Sequence, residues 1–315
     1  DYGIGRIIVD GIGELELIEE ICREKNKTAK VLYRITPGIK ADTHDYIVTG
    51  KKDSKFGMPQ DEEGLYREVK KALDSQYVEF LGFHFHIGSQ LFDNDPYLQA
   101  LEVALKHVKN IKDKFGCSVK ELNLGGGFGV TYIDEERKPY GYFTDPMMKR
   151  IEEFFRGEDM EMPAVVIEPG RSAVAEAGIT LYTIGHIKDI PGVRKYVSVD
   201  GGMTDNIRPA LYQSQYDGVI ANKADKSKSE KVTICGKCCE SGDILIRDID
   251  VAEPDTGDTF AIFSTGAYGY SMASNYNRNL IPAVVLVKEG RSEVIVKRQT
   301  YENMISNDVI PDSLK

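Results

Sequence analysis

The chain has no excess of positive charge, no long apolar run, no even set of cysteines and no nucleotide-binding fingerprint. Each absence removes a class of function. Its 315 residues carry 40 Lys and Arg against 50 Asp and Glu, a formal net charge of −10. That balance argues against nucleic acid or an anionic membrane as the main partner, although a few local arginines suffice to hold an anionic ligand. No apolar run reaches the ~18 residues that span a bilayer, and no charged-then-apolar leader opens the chain. Five cysteines, with no secretion signal, fit a reducing compartment better than a disulfide framework. A soluble, cytoplasmic protein of one large domain or two is expected.

What is present is a set of five apolar, strand-like runs, at residues 6–10, 31–37, 80–88, 121–127 and 164–171, each ending in polar or glycine-rich residues. Side chains alternate faces along a strand. Phe83, Phe85 and Ile87 therefore share one face, and Gly82, His84, His86 and Gly88 the other. By the same parity Arg34 opposes Tyr33 and Ile35, and Glu168 opposes Val165 and Ile167. Polar faces that gather Arg, His, Gly and Glu near strand carboxyl ends are how a parallel β/α barrel assembles an active site.

Helical spacing fills the gaps. Leu15, Ile18 and Cys22 mark a helix over 13–25, and Leu65, Val69 and Leu73 one over 62–73. Leu98, Leu101, Leu105, Val108 and Ile111 mark another over 97–115, with a shorter candidate at 147–155. Repeated strand and helix predict parallel β/α units over residues 1–177. After about Gly178 the pattern turns to short strands at 179–187, 196–199, 231–235, 259–263, 283–287 and 294–297, with Glu289-Gly290 as a hairpin turn and 222–231 as an exposed loop. Residues 178–315 thus read as a mainly antiparallel β domain. The first part supplies only five β/α units, whereas a closed barrel of this type has eight strands, and five alone leave open edges. Either the sheet is open, or roughly three units belonging ahead of residue 1 are missing.

Several motifs carry chemistry, each beside a plainer explanation. Gly125-Gly126-Gly127-Phe128-Gly129 is a tight turn or an anion cradle; it breaks the dinucleotide pattern at Val130. Glu168-Pro169-Gly170-Arg171 is a strand terminator with a surface ion pair, or a carboxylate facing a protonated ring nitrogen beside a guanidinium. His84 and His86, with Cys235, Cys238 and Cys239, lack regular metal-site spacing, so no metal is expected. Cys239-Glu240-Ser241-Gly242-Asp243 is an ordinary loop with a thiol, or presents a proton donor. Arg208-Pro209-Ala210-Leu211-Tyr212 and Gly266-Ala267-Tyr268-Gly269 are individually weak.

Taken in order, these stretches closely resemble the diaminopimelate decarboxylases, of the alanine-racemase-like, fold type III group of pyridoxal-phosphate enzymes. Ser54-Lys55-Phe56-Gly57, His84 to Ser89, the glycine run, Glu168 to Ser172, and Asn275-Tyr276-Asn277 match with the rest, over nearly the whole chain. The resemblance implies a partial (β/α)8 barrel followed by a β domain, pyridoxal 5'-phosphate as cofactor, and conversion of meso-2,6-diaminopimelate to L-lysine and CO2. It implies that His86 stacks on the pyridine ring. Ser89, Gly125, Gly126, Gly127 and Tyr268 would hold or approach the phosphate. Arg34, Pro169, Gly170 and Arg171 would belong to the cofactor's surroundings, and Glu168 would keep the ring nitrogen protonated. Arg171, Arg208 and Tyr212 would bind the substrate's distal carboxylate and amino end, with Tyr268 beside them. Glu240 would recognise the amine, and Cys239 would reprotonate the carbanion left by CO2 loss. The family's Cys-Glu loop reaches the site from a second subunit, which implies a homodimer.

One departure stands out. The family binds its cofactor through a Schiff-base lysine in a Tyr-Ala-x-Lys-Ala-Asn-like context, and no lysine here fits it; Lys55 belongs to a different motif. The chain alone is therefore expected to be inactive. Two alternatives stay open: a lysine-less, non-catalytic binding or regulatory relative, and a decarboxylase of a D-amino acid or of carboxynorspermidine.

Overall fold

A computed structural model describes residues 2–39, 55–58 and 62–315. Ser54 of the Ser-Lys-Phe-Gly motif lies outside them. Contacts divide the chain into two compact units, residues 1–130 with 136–172, and residues 131–135 with 173–315.

In the first unit, five strands form one parallel sheet in sequence order: β1 (Ile7–Val9), β2 (Ala29–Arg34), β3 (Val78–His84), β4 (Glu121–Gly126) and β5 (Ala164–Glu168). Helices α1 (Glu14–Glu24), α2 (Glu62–Asp74), α3 (Asp95–Phe115) and α4 (Tyr140–Gly157) connect them. This is the expected β/α alternation. Helix α3 shows why it forms. Pro96 sits in its first turn, where a missing N–H costs nothing, and Gly116 closes it in the left-handed conformation, φ 61°. Between them Tyr97, Ala100, Leu101, Ala104, Leu105, Val108 and Ile111 form a buried stripe at helical spacing. Their burial against Phe83, Leu122 and Phe143 makes this the core of the unit. Among the described residues β1 and β5 pair on one side only, so the sheet has two free edges.

Helix α5 (Gly170–Val174) begins in the first unit and ends in the second, which holds a six-stranded sheet in the order β10-β9-β7-β6-β11-β8. Its strands are β6 (Thr180–Ile190), β7 (Arg194–Val199), β8 (Gly218–Ile220), β9 (Glu230–Cys235), β10 (Ile244–Val251) and β11 (Thr259–Ile262), with α6 (Arg208–Tyr212) after β7. All pairs are antiparallel except β7 with β9. A separate ribbon pairs β12 (Val284–Lys288) with β13 (Arg291–Val296), before a final helix α7 (Tyr301–Ile305). Glu289 and Gly290, at φ 52° and 74°, make the expected two-residue hairpin turn.

Four expectations need correction. Strand β5 ends at Glu168, and Gly170 already begins α5, so Arg171 projects from a helical turn and not from a strand. Strand β3 ends at His84, which puts His86 and Gly88 beyond it. Helix α4 starts seven residues earlier than residue 147, running through Pro146. Strands β8 and β10 were not foreseen.

Candidate active site

Register builds the first cluster. Arg34 on β2 pairs with His84 on β3, His84 pairs with Asn123 on β4, and Gly126 pairs with Glu168 on β5. Carboxyl-terminal residues of four adjacent strands therefore lie side by side. Glu168 is the open member, its side chain 45% exposed against 5% for His84. Asn123 Nδ2 donates to Glu168 Oε1 at 2.9 Å, and His84 Nε2 faces the same carboxylate at 3.4 Å. Those bonds, His84's first, hold the Glu168 carboxyl below the usual carboxylate range against the opposing effect of burial. Glu168 is thus an anion with nearly half of its side chain open to solvent.

His86 has the opposite character. Burial, helped by the nearby Arg34 charge, pushes its pKa down to about 4, so the ring is neutral near pH 7. Its Nδ1 accepts from the Gly126 N–H at 3.3 Å, which assigns the ring proton to Nε2. The result is a flat, uncharged ring held by the backbone. Arg34 itself reaches Asp10 at 3.5 Å and lies over the Phe56 ring at 4.5 Å.

The glycine run is required by strand packing. Gly125 and Gly127 take φ 67° and 99°, and a β carbon would come 2.3 Å from Phe85 O at the first and 2.1 Å from Gly88 O at the second. At Gly126 it would come 1.9 Å from Glu168 O. Two of the amides are engaged inside the protein: Gly125 N–H on Asn123 Oδ1 at 2.9 Å, and Gly126 N–H on His86. The tight-turn explanation accounts for these bonds. Asn123 is a residue that sequence reasoning missed; its only signal was a polar side chain between the apolar Leu122 and Leu124.

Arg171 and Ser89 form a second element of this cluster. The guanidinium, buried to 6% exposure, places Nε and Nη2 at 3.1 and 3.0 Å from Ser89 Oγ. Ser172 Oγ donates to Pro169 O at 3.2 Å and fixes the Pro169-Gly170 turn that presents Arg171. Nothing stands within 4 Å of the β-carbon position at Gly170.

In the second unit, Arg208 lies at the start of α6 with 6% of its surface exposed. Its Nε donates to Tyr216 OH at 2.9 Å and its Nη2 to Ser214 Oγ at 3.2 Å. The rings of Tyr132, Tyr212 and Tyr268 lie 5.8, 5.3 and 5.7 Å from its guanidinium carbon. Sequence reasoning named Arg208, Tyr212 and Tyr268 but missed Tyr132, Ser214 and Tyr216, which no spacing rule links to them. Tyr268 holds its place at φ 61°, uncommon for a bulky residue.

Cys239 and Glu240 are exposed, on a loop braced from behind. Buried Asp243 accepts from the amides of Met203 and Cys238 at 2.7 and 2.8 Å. Asn277 Oδ1 accepts from Cys239 N–H at 3.2 Å, and Tyr276 OH donates to the Glu240 carboxylate. Two of the matched stretches thus meet. Cys238 turns away toward Asn279, its thiol pushed up to about 11 by burial and Asp243.

Comparison with known proteins gives a consistent picture. Residues 1–175 match the family described as "Pyridoxal-dependent decarboxylase, pyridoxal binding domain". The chain is 46% identical to the diaminopimelate decarboxylase of Bacillus subtilis, over 98% of this chain and 71% of that protein. It is 49% identical to that of Bacillus methanolicus, over 95% and 69%. Among solved structures, diaminopimelate decarboxylase from M. jannaschii in co-complex with L-lysine superposes with a TM-score of 0.90 at 37% identity, covering 99% of this chain and 71% of that one.

Proposed function

The chain belongs to the pyridoxal-dependent decarboxylase family, and from that premise we propose that the intact protein converts meso-2,6-diaminopimelate to L-lysine and CO2 with pyridoxal 5'-phosphate as cofactor. The observation that carries the reading is the Glu168 corner. A half-exposed carboxylate kept anionic by His84 and Asn123 is the partner that a protonated pyridine nitrogen needs. The donor set fits the cofactor: beside that carboxylate lie the neutral His86 ring and the Arg171–Ser89 pair.

When bound, the cofactor's protonated ring accepts the electron pair released as CO2 leaves. Glu168 holds the ring nitrogen in its charged form. His86 would stack on the ring and, being neutral, would add no competing charge. Arg171 and Ser89, with the turn at Gly125, Gly126 and Gly127, take the phosphate; the guanidinium on a serine hydroxyl suits a dianion better than a substrate carboxylate. Arg34 balances the Asp10 and Glu168 charges nearby. Arg208, held among tyrosines with Tyr212 and Tyr268, binds the distal carboxylate. Glu240 takes the distal amine, and Cys239 returns a proton to the α carbon. Their exposure supports a homodimer in which each Cys239 loop serves the site of the other subunit.

No lysine of this chain stands in the family's cofactor-linking context, and β1 and β5 each leave an edge unpaired among the described residues. Both support the reading that the 315 residues alone carry out no turnover. The test is CO2 release by the intact protein from meso-diaminopimelate, set against lysine, ornithine and arginine. Preference for a substrate without the second carboxylate refutes the assignment of Arg208. Mixing the intact Cys239→Ala and Glu168→Gln proteins should restore part of the activity if sites are shared between subunits.

A further inference from the structure

We propose that Asn123 is a positioning residue that ties the glycine turn to the Glu168 carboxylate, so that one side chain sets both the phosphate end and the ring-nitrogen end of the cofactor site. The inference rests on the reading just given for Glu168 and the glycine turn. Asn123 lies inside β4 at 3% exposure, where an amide persists only if its polar atoms are bonded. Its two ends have opposite chemistry, and both are engaged. Oδ1 accepts from Gly125 N–H at 2.9 Å, which leaves Nδ2 to donate to Glu168 Oε1 at 2.9 Å. A flipped amide would set donor against donor and oxygen against carboxylate, so the first bond dictates the second. Gly125 is already confined by Phe85 O, and its N–H needs an acceptor that leaves the turn where it is. His84, the register partner of Asn123, flanks the carboxylate on the other side. Removing Asn123 therefore strips Glu168 of its shorter bond and unpins the turn at the same time.

Pyridoxamine 5'-phosphate, which needs no lysine, and benzyl phosphate, which lacks a ring nitrogen, serve as probes on the 315-residue chain. Absorbance across pH reads the ring nitrogen of the bound first probe, and calorimetry reads the Kd of both. Glu168→Gln is expected to lower the pH at which the bound ring loses its proton by about one pH unit or more, leaving benzyl phosphate binding within about twofold. Asn123→Leu, of similar volume, is expected to move the ring titration in the same direction and to weaken benzyl phosphate about tenfold. Asn123→Asp keeps an acceptor for Gly125 N–H. It should hold benzyl phosphate within about threefold while disturbing the ring titration through a second carboxyl beside Glu168. Circular dichroism and Tm confirm that each variant folds, and the Asp variant carries the test if the Leu variant does not.

An unmoved ring titration in both Asn123 variants overturns the proposal. So does a ring effect in Asn123→Leu without a phosphate effect, since the tie would then be absent. Failure of the unsubstituted chain to bind either probe overturns the assignment of Glu168 and the glycine turn itself, and the inference falls with it.

Discussion

The strand ends around Glu168 and the loop around Cys239 are equally polar in sequence, yet they are held in opposite ways. At the first, His84, Asn123 and Arg171 are nearly sealed from solvent, and their bonds run to Glu168, to the Gly125 amide and to Ser89. At the second, Cys239 and Glu240 stand exposed, steadied by Asn277 and Tyr276 from one side. Groups that must aim fixed charge at a ring gain from burial, because low dielectric strengthens each bond and a locked geometry needs no rearrangement. A proton donor must instead meet a substrate that comes and goes. The two regions therefore differ in what a substitution should do: rate at the loop, assembly and binding at the strand ends.

The sharpest way to break that contrast is Cys239→Ala in the intact protein. Turnover should fall by roughly 10²–10⁴-fold with substrate affinity little changed, as for a lost general acid. An unchanged kcat removes Cys239 from the role. Gly126→Ala tests the other region. A β carbon 1.9 Å from Glu168 O forces β4 and β5 apart, so a loss of about 3 kcal/mol or more is expected in denaturant melts, with cofactor binding falling alongside. A variant of native stability would mean that the strand pair yields easily.

Acid should separate the regions more gently. Folding depresses the His86 pKa from 6.5 to about 4. Unfolded chain thus takes up a proton between those values that folded chain does not. Above pH 6.5 the ring is neutral in both states and destabilises nothing. Below it the folded state loses ground, by up to about 3 kcal/mol once pH reaches 4. Glu168, with its lowered pKa, adds a loss at still lower pH. Chemical denaturation at pH 7, 5.5 and 4.5 should show the trend, and His86→Leu should flatten its upper part. The smallest effect belongs to Tyr276→Phe. It removes one exposed hydrogen bond to Glu240, so Tm should hardly move while KM shifts.

Much of the architecture was legible because burial imposes periods. The stripe along α3 and the β/α alternation follow from side chains that must face a core. Strand β10 was hidden for a physical reason: its pairing with β9 shifts register between Ile244 and Ile246 and again before Ile249, and Asp248 takes φ 53°. Each irregularity reverses the alternation that marks a strand. The first turns of α4 were masked by Gly141 and Pro146, which tertiary packing of Phe143 and Met147 overrides. The place of Glu168 at a strand end was legible from parity, whereas His86, beyond the end of β3, was singled out by its motif alone. Asn123 and Tyr132 were not legible, because their importance arises from Glu168 and Arg208, far away in sequence, and Tyr216 meets Arg208 only through the turn that follows α6. The glycine run was open in sequence between a tight turn and an anion cradle, and the requirement it could not reveal is the backbone carbonyl facing each absent β carbon.

Those facing carbonyls have an evolutionary corollary. Where Phe85, Glu168 and Gly88 each set an oxygen about 2 Å from a missing methyl, no intermediate substitution offers a partial foothold. Laboratory selection for altered specificity should leave that hinge of the sheet untouched and find its winners on rims that can give way, such as the tyrosines around Arg208.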